Sequence, residues 1–123
     1  MCLEKIKEAR ENIKDVVTKT PLLYSNVFSK SSNNDVYMKC ENLQLTGAYK
    51  IRGALNKIIS LTEEEKSKGV ICSSAGNHAQ GVAYAASLMD VKSSIVMPKT
   101  TPYLKVESTK NYGGNIILHG KCY

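Results

Sequence analysis

Residues 70–97 read VICSSAGNHAQGVAYAASLMDVKSSIVM, and this stretch decides the fold. Val70-Ile71-Cys72 is a short apolar run that breaks into a Ser/Gly/Asn turn. Residues 77–89 are rich in alanine and read as a helix. Ser94-Ile95-Val96-Met97 is a second short apolar run, closed by Pro98. The pattern then repeats. Thr101 is placed to cap a helix with Pro102 at its first position, Gly113-Gly114 stops it, and Asn115 to Leu118 is a third strand. Strand–helix–strand–helix–strand predicts a parallel sheet with right-handed crossovers.

Upstream of this unit the elements are less regular. Leu3, Ile6, Ile13 and Val17 fall at helical spacing, so a helix is predicted over 3–17, ended by Thr20-Pro21. Ser29 to Asp35 is polar and turn-like, and Asp35 to Cys40 reads as a strand. Ile51, Leu55, Ile58 and Ile59 return to helical spacing over 51–61. Thr62-Glu63-Glu64-Glu65 is a capping box that opens a short helix, which Gly69 stops.

Composition narrows the function classes. The 123 residues are 42% hydrophobic and 23% charged, ordinary values for a globular domain. No apolar run approaches the roughly 18 residues of a membrane span, and the N-terminus lacks a signal peptide's apolar centre. A cytoplasmic protein without a membrane partner is expected. The net charge of +6 is spread along the chain, without aromatic residues interleaved as a stacking platform, so nucleic acid is not expected as a partner. Cys2, Cys40, Cys72 and Cys122 form no C-x-x-C pair, and His78 and His119 have no cysteine neighbours at ligand spacing. No metal site is expected.

Two segments carry candidate chemistry. Glu41-Asn42-Leu43-Gln44-Leu45-Thr46-Gly47-Ala48-Tyr49-Lys50-Ile51-Arg52-Gly53-Ala54 leads polar turn residues to a lysine at the mouth of a helix. The helix dipole disfavours a cation there, which leaves more of the neutral amine, the nucleophile for a carbonyl. Taken alone, Lys50 reads far more readily as one more surface lysine. Ser73-Ser74-Ala75-Gly76-Asn77-His78-Ala79-Gln80-Gly81 follows a strand and opens a helix, at the sheet edge where ligands bind. Its Ser74 hydroxyl and helix N–H groups suit a carboxylate, and they equally suit a plain helix cap.

Together these segments resemble the threonine dehydratase (threonine ammonia-lyase) family of fold-type II pyridoxal-phosphate enzymes. The family pattern E-N-x-Q-x-T-G-S-F-K-x-R-G-A is met except at Ala48 and Tyr49, where Ser and Phe are usual. The pattern S-A-G-N-H-A-Q-G is met at every position from Ser74 to Gly81. Ile95-Val96-Met97-Pro98-Lys99 is similar to the family's V-V-M-P-K strand end. The resemblance covers nearly the whole chain.

It implies an α/β fold, a three-layer parallel sheet with flanking helices, forming part of a tryptophan synthase beta-like enzyme. Residues 1–51 are expected to belong to the large domain and 52–123 to an incomplete small domain. Lys50 is implied as the lysine that forms a Schiff base with pyridoxal 5'-phosphate and later takes the substrate's Cα proton. Asn77 is implied to hydrogen-bond the cofactor's 3-hydroxyl, with Tyr49 under the ring. Ser74, Gly76 and His78 are implied to border the carboxylate of an amino-acid substrate. The reaction the resemblance implies is conversion of L-threonine, with L-serine as a second candidate substrate, to a 2-oxo acid and ammonia, within isoleucine biosynthesis and in a homo-oligomeric parent.

Serine racemases of the family carry a second serine where Ala75 stands, so elimination is favoured over racemisation. Serine dehydratase and threonine synthase are the near alternatives, and a non-catalytic remnant that binds a partner through an uncovered sheet edge is the distant one. The family's phosphate cradle, roughly G-G-G-G-[LI], and its Ser or Cys partner for the pyridine nitrogen have no match here. The chain is therefore expected to be an N-terminal fragment with little activity of its own.

Overall fold

The computed structural model describes residues 2–122. Helix α1 (Leu3–Ile13) precedes strand β1 (Leu22–Tyr24), helix α2 (Asn26–Ser32) and strand β2 (Tyr37–Lys39). A single 3-10 turn, Glu41–Leu43, leads to α3 (Lys50–Ile59) and α4 (Glu63–Lys68). Then follow β3 (Val70–Ser73), α5 (Asn77–Leu88), β4 (Ser93–Met97), α6 (Tyr103–Asn111) and β5 (Asn115–Leu118).

The expected parallel sheet is present in the order β3-β4-β5, with Cys72 beside Ile95 and Ile95 beside Ile116. Strand β4 is central, and its Ile95 and Met97 are fully buried. Helix α5 covers the sheet with a run of small residues. Ala79, Ala83, Ala85 and Ala86 are all fully buried. Small side chains let neighbouring elements approach the α5 backbone closely, and α3 does so through Ile51, Ala54, Leu55 and Ile58. The boundary expected after residue 51 thus lies inside α3, one continuous helix.

The N-terminal third departs from the sequence reading. The helix expected over 3–17 stops at Ile13, whose carbonyl accepts from both Val16 and Val17 N–H groups in a tightening turn. Leu3 and Ile6 of the apolar stripe are exposed, and only Ile13 reaches the core. The stretch expected to be a polar turn holds α2 instead. The Ser25 hydroxyl caps it by accepting from Phe28 N–H, and Asn33 ends it in the left-handed region at φ 53°. The strand expected over 35–40 shortens to β2, which pairs antiparallel with β1 in a separate two-stranded sheet. Three-residue strands with apolar residues on both faces give no period to read.

Thr62 makes its capping box, and Gly69 ends α4 at φ 78°. Thr101 does not cap α6. Pro102 holds the cap position with extended backbone, α6 begins at Tyr103, and the Thr101 hydroxyl is buried without a partner. Among the described residues no helix is long and apolar enough to cross a membrane.

Candidate active site

Lys50 is the first residue of α3, and the loop that delivers it is tied down by a polar clamp. The Glu41 carboxylate accepts from Arg52 Nε and Nη2, both at 2.8 Å, and from the Thr20 hydroxyl. Lys39 Nζ donates to the Thr20 carbonyl. Gln44 Oε1 accepts from Thr18 N–H at 2.9 Å, while its Nε2 donates back to the Thr18 carbonyl at 2.9 Å. Arg52 Nη2 adds a bond to that carbonyl at 3.2 Å. The segment 18–20, the turn 41–44 and the first turn of α3 are therefore one hydrogen-bonded unit. The Arg52 guanidinium holds the Glu41 carboxyl at about 2, well below its ordinary 4.5, against the opposing effect of burial and with help from Thr20.

Beyond the clamp, Gly47 turns the chain at φ 67° and its N–H bonds to the Gln44 carbonyl at 2.7 Å. Ala48 is buried, while Tyr49 and Lys50 stand in the open. Lys50 Nζ lies 5.1 Å from the centre of the Tyr49 ring. The loop thus exposes an amine over a flat aromatic face.

The second segment is the turn between β3 and α5. Ser74 N–H bonds to the Val96 carbonyl at 3.1 Å, which continues the sheet ladder one residue past β3. The cap position of α5 is Gly76, which has no side chain to fill the first-turn N–H groups. Ser74 is not the cap. Its hydroxyl makes only a long local contact with Gly76 N–H, at 3.4 Å. A Cβ built at Gly76 would meet nothing within 4 Å, so the space over the helix mouth is open. Ser73, Ser74, Ala75 and Gly76 line a hollow there and share it with Lys105 of α6. His78, expected beside Ser74 and Gly76, lines a different groove, between α3 and β3, with Lys57, Ile58, Cys72 and Val82.

One contact joins the two segments. A Cβ built at Gly81 would lie 3.1 Å from Lys50 C, 3.1 Å from Ile51 N and 3.3 Å from Lys50 O. The α5 backbone therefore rests on the peptide bond that follows Lys50. Asn77 lies four residues before Gly81, on the same face of α5 and one turn towards its open end. The start of α3, with Lys50, is thus set against the second turn of α5, and the hollow lined by Ser73 to Gly76 lies at the mouth of that same helix.

Sequence reasoning assigned no role to Glu41, Gln44, Arg52 or Gly81, although all four lie within the quoted motifs.

These residues fit the reactive end of pyridoxal phosphate. An exposed amine beside a flat ring, and a helix mouth whose cap position carries no side chain, suit an aldehyde, a planar ring and an anionic group.

The chain also resembles known proteins. Residues 13–123 match the family model described as pyridoxal-phosphate dependent enzyme. The L-threonine ammonia-lyase of Thermotoga maritima is 50% identical over 121 residues, which are 98% of this chain and 30% of that protein. A serine racemase structure from Dictyostelium discoideum is similar at a TM-score of 0.92 and 41% identity, covering 98% of this chain and 39% of that one. The processed form of threonine deaminase isoform 2 from Solanum lycopersicum is similar at a TM-score of 0.85 and 36% identity, covering 100% of this chain and 37% of that one. The chain thus spans about a third of the length of the curated relatives it matches.

Proposed function

The chain belongs to the family of pyridoxal-phosphate dependent enzymes, and from that premise we propose that it carries the reactive lysine of an ammonia-lyase acting on L-threonine. The observation that supports this most is the contact that sets Lys50 against α5, one turn from Asn77. The relatives named for threonine supply the substrate.

When bound, pyridoxal phosphate supplies an aldehyde that captures amines and a conjugated ring that accepts electrons from the carbon beside the amine. In this reading the Lys50 amine would hold the cofactor and would serve as the base for the substrate's Cα proton. Asn77 donates a hydrogen bond to the ring hydroxyl, and Tyr49 supports the ring from below. Ser74, whose hydroxyl and Gly76 N–H contact each other here, and the first-turn N–H groups of α5 would hold the substrate carboxylate, which the positive end of α5 favours. His78 lies in the groove between α3 and β3 instead and is given no role in holding the carboxylate.

Ala75 has no proton to give from the opposite face, which supports loss of the β-hydroxyl rather than racemisation, despite the likeness to serine racemases. The product from threonine is 2-oxobutyrate with ammonia, a precursor suited to isoleucine biosynthesis in the cytoplasm of the cell. Residues 1–51 are read as part of a large domain and 52–123 as part of a small one, in a homo-oligomer. Since the relatives are about three times as long, the 123 residues alone are expected to bind cofactor weakly and turn over little.

Reductive labelling tests the proposal. Pyridoxal phosphate is added, borohydride traps it, and the labelled lysine is mapped. Label concentrated on Lys50 supports the reading, and label spread over many lysines defeats it. Formation of 2-oxobutyrate from threonine by these 123 residues would overturn the expectation of low turnover.

A further inference from the structure

We infer that Gly81 is a positioning residue for Lys50: its missing side chain sets how closely Asn77 and the mouth of α5 stand to the reactive amine. The inference rests on the reading of Lys50 as the cofactor lysine.

Gly81 is buried and lies in the second turn of α5. The three atoms nearest its empty Cβ position all belong to the backbone of Lys50 or Ile51, at 3.1 to 3.3 Å. Backbone in a helix cannot rotate away as a side-chain end can. A methyl group at position 81 therefore moves α3 and α5 apart by a few tenths of an ångström. The shift falls at the residue that bears the amine, because Ile51 behind it is fully buried and anchors the rest of α3.

The sequence supports no local reason for this glycine. It sits mid-helix, where glycine costs about 1 kcal/mol relative to alanine, and its φ is not among the positive values. Helical geometry alone would prefer alanine, as α5 uses at Ala79, Ala83, Ala85 and Ala86. The contact with Lys50 is what excludes it.

A second glycine provides the control. A Cβ at Gly114 would be crowded to the same degree, 3.1 Å from Ala83 Cβ, Ile95 Cγ1 and Thr109 O, but on nearly the opposite face of α5, since Ala83 follows Gly81 by two residues at roughly 100° each. Gly81→Ala and Gly114→Ala should both lower the melting temperature. Only Gly81→Ala should lower the share of pyridoxal phosphate trapped by borohydride on Lys50, by about ten-fold if small misplacements act on reactivity as they do on catalysis.

Equal Lys50 labelling in Gly81→Ala and the unaltered chain would overturn the inference while leaving the lysine assignment intact. Unselective labelling of the unaltered chain would remove the lysine assignment itself. A loss of selectivity in Gly114→Ala equal to that in Gly81→Ala would also overturn the inference, as general loosening would explain both.

Should Gly81→Ala fail to fold by circular dichroism, amide exchange of the unaltered chain decides. The Ala54 and Gly81 amides should exchange together with the Leu55 and Val82 amides of the packed helices. Fast exchange of Ala54, as at a frayed helix end, would show that α5 does not fix the start of α3.

Discussion

The two halves of this chain are held together by different forces, and Lys50 sits on the seam between them. From β3 to β5 the structure is a packed apolar unit. Ile95 and Met97 are fully buried under four alanines of α5. From α1 to the 41–44 turn there is almost no such core. Leu22, Leu23, Tyr24, Tyr37 and Met38 of the two-stranded sheet are all exposed, while Ile13 joins the main cluster and Val17 packs against it. What orders that half is the polar clamp of Glu41, Arg52, Thr20 and Gln44. Apolar packing is insensitive to pH and salt, whereas a charged clamp is not. The reactive loop is therefore tunable on one side and fixed on the other.

The largest break in this comparison is a cavity in the packed half. Ile95→Ala removes a fully buried side chain from the central strand and should cost about 3 kcal/mol or more. The fall in the urea midpoint measures it. Unfolding of both halves at one reduced midpoint is expected, because α3 belongs to the shared core. A shift below a third of that size would mean that β4 is not the centre of stability.

Breaking the clamp should be smaller and local. Glu41→Ala leaves Arg52 and Thr20 without their shared acceptor and should cost about 2 kcal/mol. Protease cutting near 18–20 and 41–44 should rise, with amide exchange in β4 unchanged. Equal loosening of β4 would show that the two halves do not differ in the way described.

Acid acts on the same point. The Glu41 carboxyl is held at about 2 in the fold, against an ordinary 4.5. A depressed acid stabilises the fold fully above its unfolded value and loses that contribution as pH falls. Between pH 4.5 and about 2, the N-terminal half should therefore loosen first. Glu65, lowered by the Thr62 backbone N–H, titrates in the same direction but acts on the α4 cap. Glu41→Gln should abolish the early loosening near 18–20 and leave the α4 change in place. A Glu41→Gln chain that loosens there at the same pH as before would refute the assignment.

The same contrast explains what could be read from the sequence. The β3–β5 unit was legible because apolar runs, alanine-rich helix and glycine stops each repeat at the period of the element they build. Both candidate segments were legible as motifs, and the turn before Lys50 as polar. The strand Leu22–Tyr24 was not, since three apolar residues in a row fit several structures. Helix α2 was hidden by Ser29, Ser31 and Ser32, which favour turns locally but here follow a good Ser25 cap. The shortened α1 reflects a stripe whose Leu3 and Ile6 have nothing to pack on. No local rule could show that Glu41 meets Arg52 or that Gly81 meets Lys50, because those are distances between elements.

The smallest effects test whether buried polar groups in the clamped half are all put to use. Thr20 and Thr46 are both nearly inaccessible, at 3% and 4% exposure. The Thr20 hydroxyl donates to Glu41, whereas the Thr46 hydroxyl has no hydrogen-bond partner. Replacing each by valine keeps the shape and removes the hydroxyl, so the signs should differ. Thr20→Val strips a donor from a carboxylate and should cost about 1 kcal/mol. Thr46→Val removes a desolvated hydroxyl that gains nothing and should stabilise the chain by about 1 kcal/mol. Its φ lies outside the positive region, so a β-branched residue meets no backbone strain there. Thermal melts of the two variants side by side give the answer. If Thr46→Val also destabilises, that hydroxyl has a partner in solution, four residues before Lys50, and the opening around the lysine is wetter and more polar than the clamp alone makes it.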